Sequence, residues 1–141
     1  MHRESMAFIE HVVWETEGSL SDLFLAEYSL LDARTAALYG LSEFEEEGPT
    51  PTPPERRGLL THPSILAVTS TAHETAPIRR GLFVIERLLC DHLPAPPVEL
   101  EIVPPEVDPN LTTRERWELH SSATACSGCH SRIDPLGFAM E

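Results

Sequence analysis

The chain has 141 residues, enough for one domain with part of a neighbour and a modest buried core. It carries 23 Asp and Glu against 10 basic residues, all of them Arg, for a formal charge of −13. Such a balance excludes a surface for nucleic acid or anionic membranes and reads either as a solvated acidic face or as a field that steers a basic partner. No stretch approaches the roughly 18 consecutive apolar residues of a membrane span.

Met1 to Val13 has no positive cluster, no sustained apolar core and no small-residue cleavage site, so it does not read as a signal peptide. Phe8, Ile9, Val12 and Val13 repeat at helical spacing, and Leu20, Leu23, Phe24 and Tyr28 do so again after Ser19, a candidate cap. Asp32 predicts the N-cap of a short helix carrying Ala36, Ala37 and Leu38, with Gly40 as its left-handed end. Over 42–57 the composition changes. Glu43, Glu45, Glu46 and Glu47 are followed by Pro49, Pro51, Pro53 and Pro54, which predicts an acidic proline-rich linker between a helical segment, 1–41, and a helical domain, 58–141.

Pro63 fits the first position of a helix through Ser64, Ile65, Leu66 and Val68. From Pro77 to about Cys90, Ile78, Leu82, Ile85, Leu88 and Leu89 form one apolar stripe, expected to be the core. Pro94, Pro96, Pro97, Pro104 and Pro105 predict an extended, polyproline-like stretch lying over the helices. Thr112-Thr113-Arg114-Glu115 reads as a capping box opening a helix through Trp117, Leu119 and His120. A short helix follows, and Asp134-Pro135-Leu136-Gly137 predicts a turn. There are no internal repeats and no convincing run of period-two strands. The expected class is mainly α, with short helices joined by proline-rich loops.

Most of the chain's chemistry lies in Cys126-Ser127-Gly128-Cys129-His130. Two cysteines one helical turn apart match the vinyl groups on neighbouring pyrroles of a haem, and the histidine after the second cysteine falls under the iron. The expectation is therefore a C-terminal c-type haem attachment segment, with thioethers at Cys126 and Cys129 and His130 as the proximal iron ligand. Met140 and His120 are weak candidates for the distal ligand. Packing is the plainer role for Met140, and a place on the helix surface the plainer role for His120. His62 and His73 flank the middle helix, where capping and loop roles suit them. Zinc is the alternative cofactor, but Cys126 and Cys129 lack a second ligand pair at comparable spacing; Cys90 with His120 would be an unusual completion. A bare disulfide is a further alternative, and Cys90, the odd cysteine, reads as a buried free thiol. No phosphate loop, nucleophile–base arrangement or paired carboxylates support an enzyme outside the haem iron.

The order of segments is similar to a known family. Arg57-Gly58-Leu59-Leu60-Thr61, Ser64-Ile65-Leu66-Ala67-Val68-Thr69-Ser70 and Pro77-Ile78-Arg79-Arg80-Gly81 come first. Arg114-Glu115-Arg116, the cysteine motif and Asp134-Pro135-Leu136-Gly137-Phe138-Ala139 come after. Together they resemble the cytochrome-associated domain of unknown function 1588 found in planctomycetes and myxobacteria, over about 57–141. The part ending at Leu38-Tyr39-Gly40 resembles the tail of the domain of unknown function 1592. The resemblance implies a fragment of a long exported protein, periplasmic or on the cell surface, with other cytochrome modules or a redox protein as electron-transfer partners. A structural or interaction module, or an accessory part of a periplasmic redox enzyme, is the alternative. With little chain after the motif, an exposed haem face, no methionine ligation and a low potential are expected.

Overall fold

In the computed structural model, which describes residues 1–44, 48–97 and 103–141, three helices begin where the sequence offers a reciprocal cap. Ser19 and Asp22 close a capping box at α2 (Leu20–Leu25), Asp32 and Thr35 at α3 (Ala33–Leu38), and Thr112 and Glu115 at α6 (Thr113–Ser121). Helices this short are marginal alone, so satisfied first-turn N–H groups and packing decide that they form. Glu45, Glu46 and Glu47 of the expected acidic stretch lie outside the described residues, as do 98–102. The described residues are mainly helical, with one two-stranded sheet, and the chain divides into two compact units, Met1–Val68 and Thr69–Glu141.

The first unit comprises α1 (His2–Glu10) running into a π-helical turn at His11–Glu15, then α2, β1 (Tyr28–Leu30), α3, β2 (Pro49–Pro51), a 3-10 turn at Leu59–Thr61 and α4 (Pro63–Val68). Tyr28 is not helical as expected. The Glu27 carbonyl accepts from Thr52 N–H and the Ala26 carbonyl from Gly58 N–H, and these long-range bonds draw the chain into an antiparallel pair with Ser29 opposite Thr50. Part of the stretch read as linker is thus a strand. Its flanking prolines and three-residue length leave no period-two signal.

This unit has a polar centre. Glu4 is buried, with Oε1 accepting from the Tyr39 hydroxyl at 2.6 Å and from Ser29 Oγ at 3.2 Å. His62, expected in a capping or loop role, has its ring buried: Nδ1 is 3.1 Å from Ser5 Oγ, and Phe8 packs against the ring at 4.9 Å. Burial pushes the Glu4 carboxyl up and the His62 imidazole down to about 4.

The second unit contains α5 (Pro77–Phe83), which runs into a π-helical turn at Val84–Leu88, then α6 and α7 (Thr124–Phe138). The buried face of the first of these is Pro77, Arg80, Gly81, Val84 and Ile85, not the full stripe read from the sequence. Ile78 and Leu82 are half-buried, and Leu89 is 60% exposed. The wider π turn rotates every later position out of the 3.6-residue register, so Leu88 and Leu89 leave the core. The turn expected at Asp134-Pro135 is also absent, because α7 runs through Pro135. Proline there removes one backbone donor, and the tertiary contacts of the helix tolerate the loss.

The helices meet at two glycines. A Cβ at Gly81 would stand 2.3 Å from the Ile133 carbonyl oxygen, and one at Gly137 would stand 2.1 Å from that of Pro77. α5 and α7 therefore touch backbone to backbone. Buried Arg80 secures the ends: Nη2 donates to Ser70 Oγ at 2.9 Å and Nη1 to Glu141 Oε1 at 3.0 Å.

Ile85→Ala is expected to cost about 2–5 kcal/mol in denaturant unfolding, whereas Leu89→Ala should stay within about 0.5 kcal/mol. A large loss at Leu89 would restore the straight stripe. In the first unit, His62 has a folded pKa near 4 against an ordinary 6.5. Between those values the unfolded chain binds more protons, so its contribution is complete above the unfolded value, declines as pH falls and levels off below the folded value. The shift corresponds to about 3 kcal/mol. The raised Glu4 acts in the opposite sense, so the test is the difference in pH slope between wild type and His62→Gln: the variant's stability should fall less on acidification.

Candidate functional site

α7 presents Cys126 and Cys129 one turn apart, both half-buried, with Ser127 and Gly128 exposed between them. His130 follows, its side chain 13% exposed. Its Nδ1 lies 2.8 Å from Asp134 Oδ1 on the next turn of the same helix. The other carboxylate oxygen, Oδ2, is 2.7 Å from Ser121 Oγ at the end of α6. Trp117 of α6 stacks on the His130 ring, centroids 6.0 Å apart and planes 28° apart. The His120 ring meets it edge-on at 5.3 Å.

Of these residues, His120, Cys126, Cys129 and His130 border a cavity of about 310 Å³. Ile78 and Leu82 of α5 form one wall and Leu93, Pro94, Pro96 and Pro97 another, while Cys126, Cys129, His130 and His120 supply the reactive side. Pro94, Pro96 and Pro97 of the expected proline-rich stretch accordingly lie over the helices. The volume is at the lower end of the roughly 300–1,000 Å³ of ligand pockets, and the lining has their usual character, apolar walls with few polar groups.

Of the candidate ligands, Cys126, Cys129, His130 and His120 come together at this cavity. Met140 is half-buried, and its carbonyl accepts from Arg80 Nη1 at 3.2 Å; it is not among the cavity's lining residues. His73 is exposed in a turn where its N–H donates to Thr71 Oγ1. Cys90 is not buried as expected but exposed, with φ at 52° where the π turn ends. Among the described residues no group of three or more His, Cys, Asp or Glu gathers in a way that could hold a metal ion. The residues that the sequence reading missed are Trp117, Ser121 and Asp134. A usable signal existed, since His130 and Asp134 are four apart on one helix, but reading a turn at Pro135 hid it.

Residues 56–141 match the family PSCyt3, described as a protein of unknown function (DUF1588), and residues 1–41 match PSD4, a protein of unknown function (DUF1592). The chain belongs to the PSCyt3 family. No match was found among the curated proteins or the solved structures. The PSCyt3 segment begins within the first unit, whose 3-10 turn and α4 it includes, and continues through the second. Several residues of the matched segment are structural here. Glu115 completes the α6 capping box, Arg114 donates to the Phe138 carbonyl at 3.0 Å, and Arg116 pairs with Glu74 at 3.2 Å. No helix among the described residues is long and apolar enough to cross a membrane.

Exposed Cys90 should be the first thiol modified by a disulfide reagent in the folded PSCyt3 chain, ahead of Cys126 and Cys129. Its left-handed backbone also favours glycine, so Cys90→Gly should be neutral or stabilise the fold by up to about 1 kcal/mol. Labelling kinetics and the unfolding midpoint test both expectations.

Proposed function

We propose that this PSCyt3 chain is a c-type haem-binding, electron-transfer module of an exported multidomain protein, working in the periplasm or at the cell surface. The observation that carries the reading is the shared placement of Cys126, Cys129 and His130 on a cavity with apolar walls, with His130 Nδ1 already committed to Asp134. Two thiols one turn apart suit two thioethers, and each cysteine would add its sulfur and its hydrogen across one vinyl double bond, so nothing leaves. The imidazole keeps Nε2 for iron. A haem held there supplies a one-electron ferric–ferrous couple. Ile78, Leu82 and the prolines would exclude water from the ligand side. His120, on the same cavity, is the chain's better placed second imidazole, and Met140 the weaker choice.

The acidic surface supports a basic redox protein or neighbouring cytochrome module as partner, since opposite charge speeds encounter. Two matched families on one chain support the multidomain setting.

The test is export through a host with a cytochrome c maturation system, followed by absorption spectra and haem staining in denaturing gels. The wild type should show reduced bands and retain its stain. Cys126→Ala or Cys129→Ala should lower retention, the double variant should abolish it, and His130→Ala should remove the low-spin spectrum or block maturation. Full staining of the double variant, or zinc without colour in the wild type, would refute the haem reading.

A further inference from the structure

We infer that Asp134 is the positioning residue of His130, holding the imidazole as its Nδ1–H tautomer so that Nε2 is the nitrogen left to bind. The functional meaning of this inference rests on the proposed ligand role of His130, whereas the tautomer rests on geometry alone. A carboxylate accepts and cannot donate when ionised, so the 2.8 Å contact between Nδ1 and Oδ1 requires the proton on Nδ1. Among the described residues Nε2 has no hydrogen-bond partner that would compete for it.

The carboxylate is itself held on both sides. Oδ1 faces His130, and Oδ2 accepts from Ser121 Oγ at 2.7 Å, so its rotation is restricted by two different helices. The two side chains are 13% and 17% exposed, which limits competition from water. Arg114, the cation bordering the same cleft as Asp134, donates to the Phe138 carbonyl and lies over the Phe138 ring at 4.7 Å. Trp117, stacked on the imidazole, keeps the ring plane from swinging out of line with Asp134. α6 therefore supplies both a steric stop and a hydrogen bond for a ligand carried on α7.

An acceptor carboxylate behind a ligating histidine fixes ring orientation and makes the other nitrogen more basic. For an iron ligand, a more basic donor favours the more charged ferric state and lowers the potential. Asp134 would thus tune as well as orient.

The experiment has two arms. In the haem-free chain, long-range ¹H–¹⁵N correlation spectra in mildly alkaline buffer read the His130 tautomer directly. The Nδ1–H form is expected in wild type and a shift toward Nε2–H in Asp134→Ala. In the haem-loaded chain, Asp134→Asn keeps the shape and removes the charge. It should move the ferric–ferrous equilibrium toward ferrous by at least tenfold, about 59 mV for one electron. Ser121→Ala, a milder change, should move it in the same direction by less. A wild-type spectrum in the Nε2–H form overturns the inference without any variant, and so does a loaded Asp134→Asn protein whose equilibrium shifts less than threefold. If no haem is retained by the wild type, the haem reading falls while the tautomer spectrum still decides the role of Asp134.

Discussion

The second unit depends on the contact of α5 with α7 at Gly81 and Gly137. Each glycine faces a backbone carbonyl of the other helix at a distance no Cβ could share. Side-chain atoms can move aside for a methyl group, but two helical backbones cannot yield without separating, and overpacking of this kind costs about 1–3 kcal/mol. The close approach sets Ile78 and Leu82 beside the cysteine-bearing face of α7. A cavity whose walls come from different helices is only as well formed as that contact. α6 then adds a second support to His130, through Trp117 stacked on its ring and Ser121 bonded to its partner Asp134.

Arginine explains how an acidic chain without lysine holds such a unit together. Arg80 ties α5 to Thr69, Ser70 and the chain end, Arg114 caps the α7 carbonyl of Phe138, Arg116 reaches Glu74, and Arg132 pairs with Asp91 beyond the π turn. The guanidinium fork can satisfy several acceptors at once, which a lysine ammonium does less well. Cations engaged in these internal ties leave carboxylates to dominate the solvent face. The overall charge of −13 is thus compatible with these ties, although among the described residues Arg116 Nε is buried without a hydrogen-bond partner.

The two π-helical turns have a common consequence for reading this chain. One follows α1 at His11–Glu15 and the other follows α5 at Val84–Leu88. At each, an apolar repeat counted at 3.6 residues places its last members wrongly: Val13 is exposed after buried Val12, and Leu89 after buried Ile85. Pro135 led the reading astray in the opposite direction, since a local rule ends a helix where packing against α5 sustains one. The caps at Ser19, Asp32 and Thr112 were legible because each is a contact within one turn.

By itself the sequence determined what depends on neighbours in the chain. It specified the mainly helical class, the helix starts and the cysteine pair with its following histidine, because spacing alone places those three residues on one helical face. Membership of PSCyt3 was legible for the same reason, as ordered local segments. Only the tertiary structure decided which residues surround that face. The pairing of Ser29 with Thr50, the burial of His62, the exposure of Cys90 and the convergence of Trp117, Ser121 and Asp134 on His130 all join or separate residues by long-range packing. A spacing rule cannot anticipate such contacts, because they follow from how elements distant in the chain approach one another; between α5 and α7 that distance is set by the absence of a side chain at two glycines.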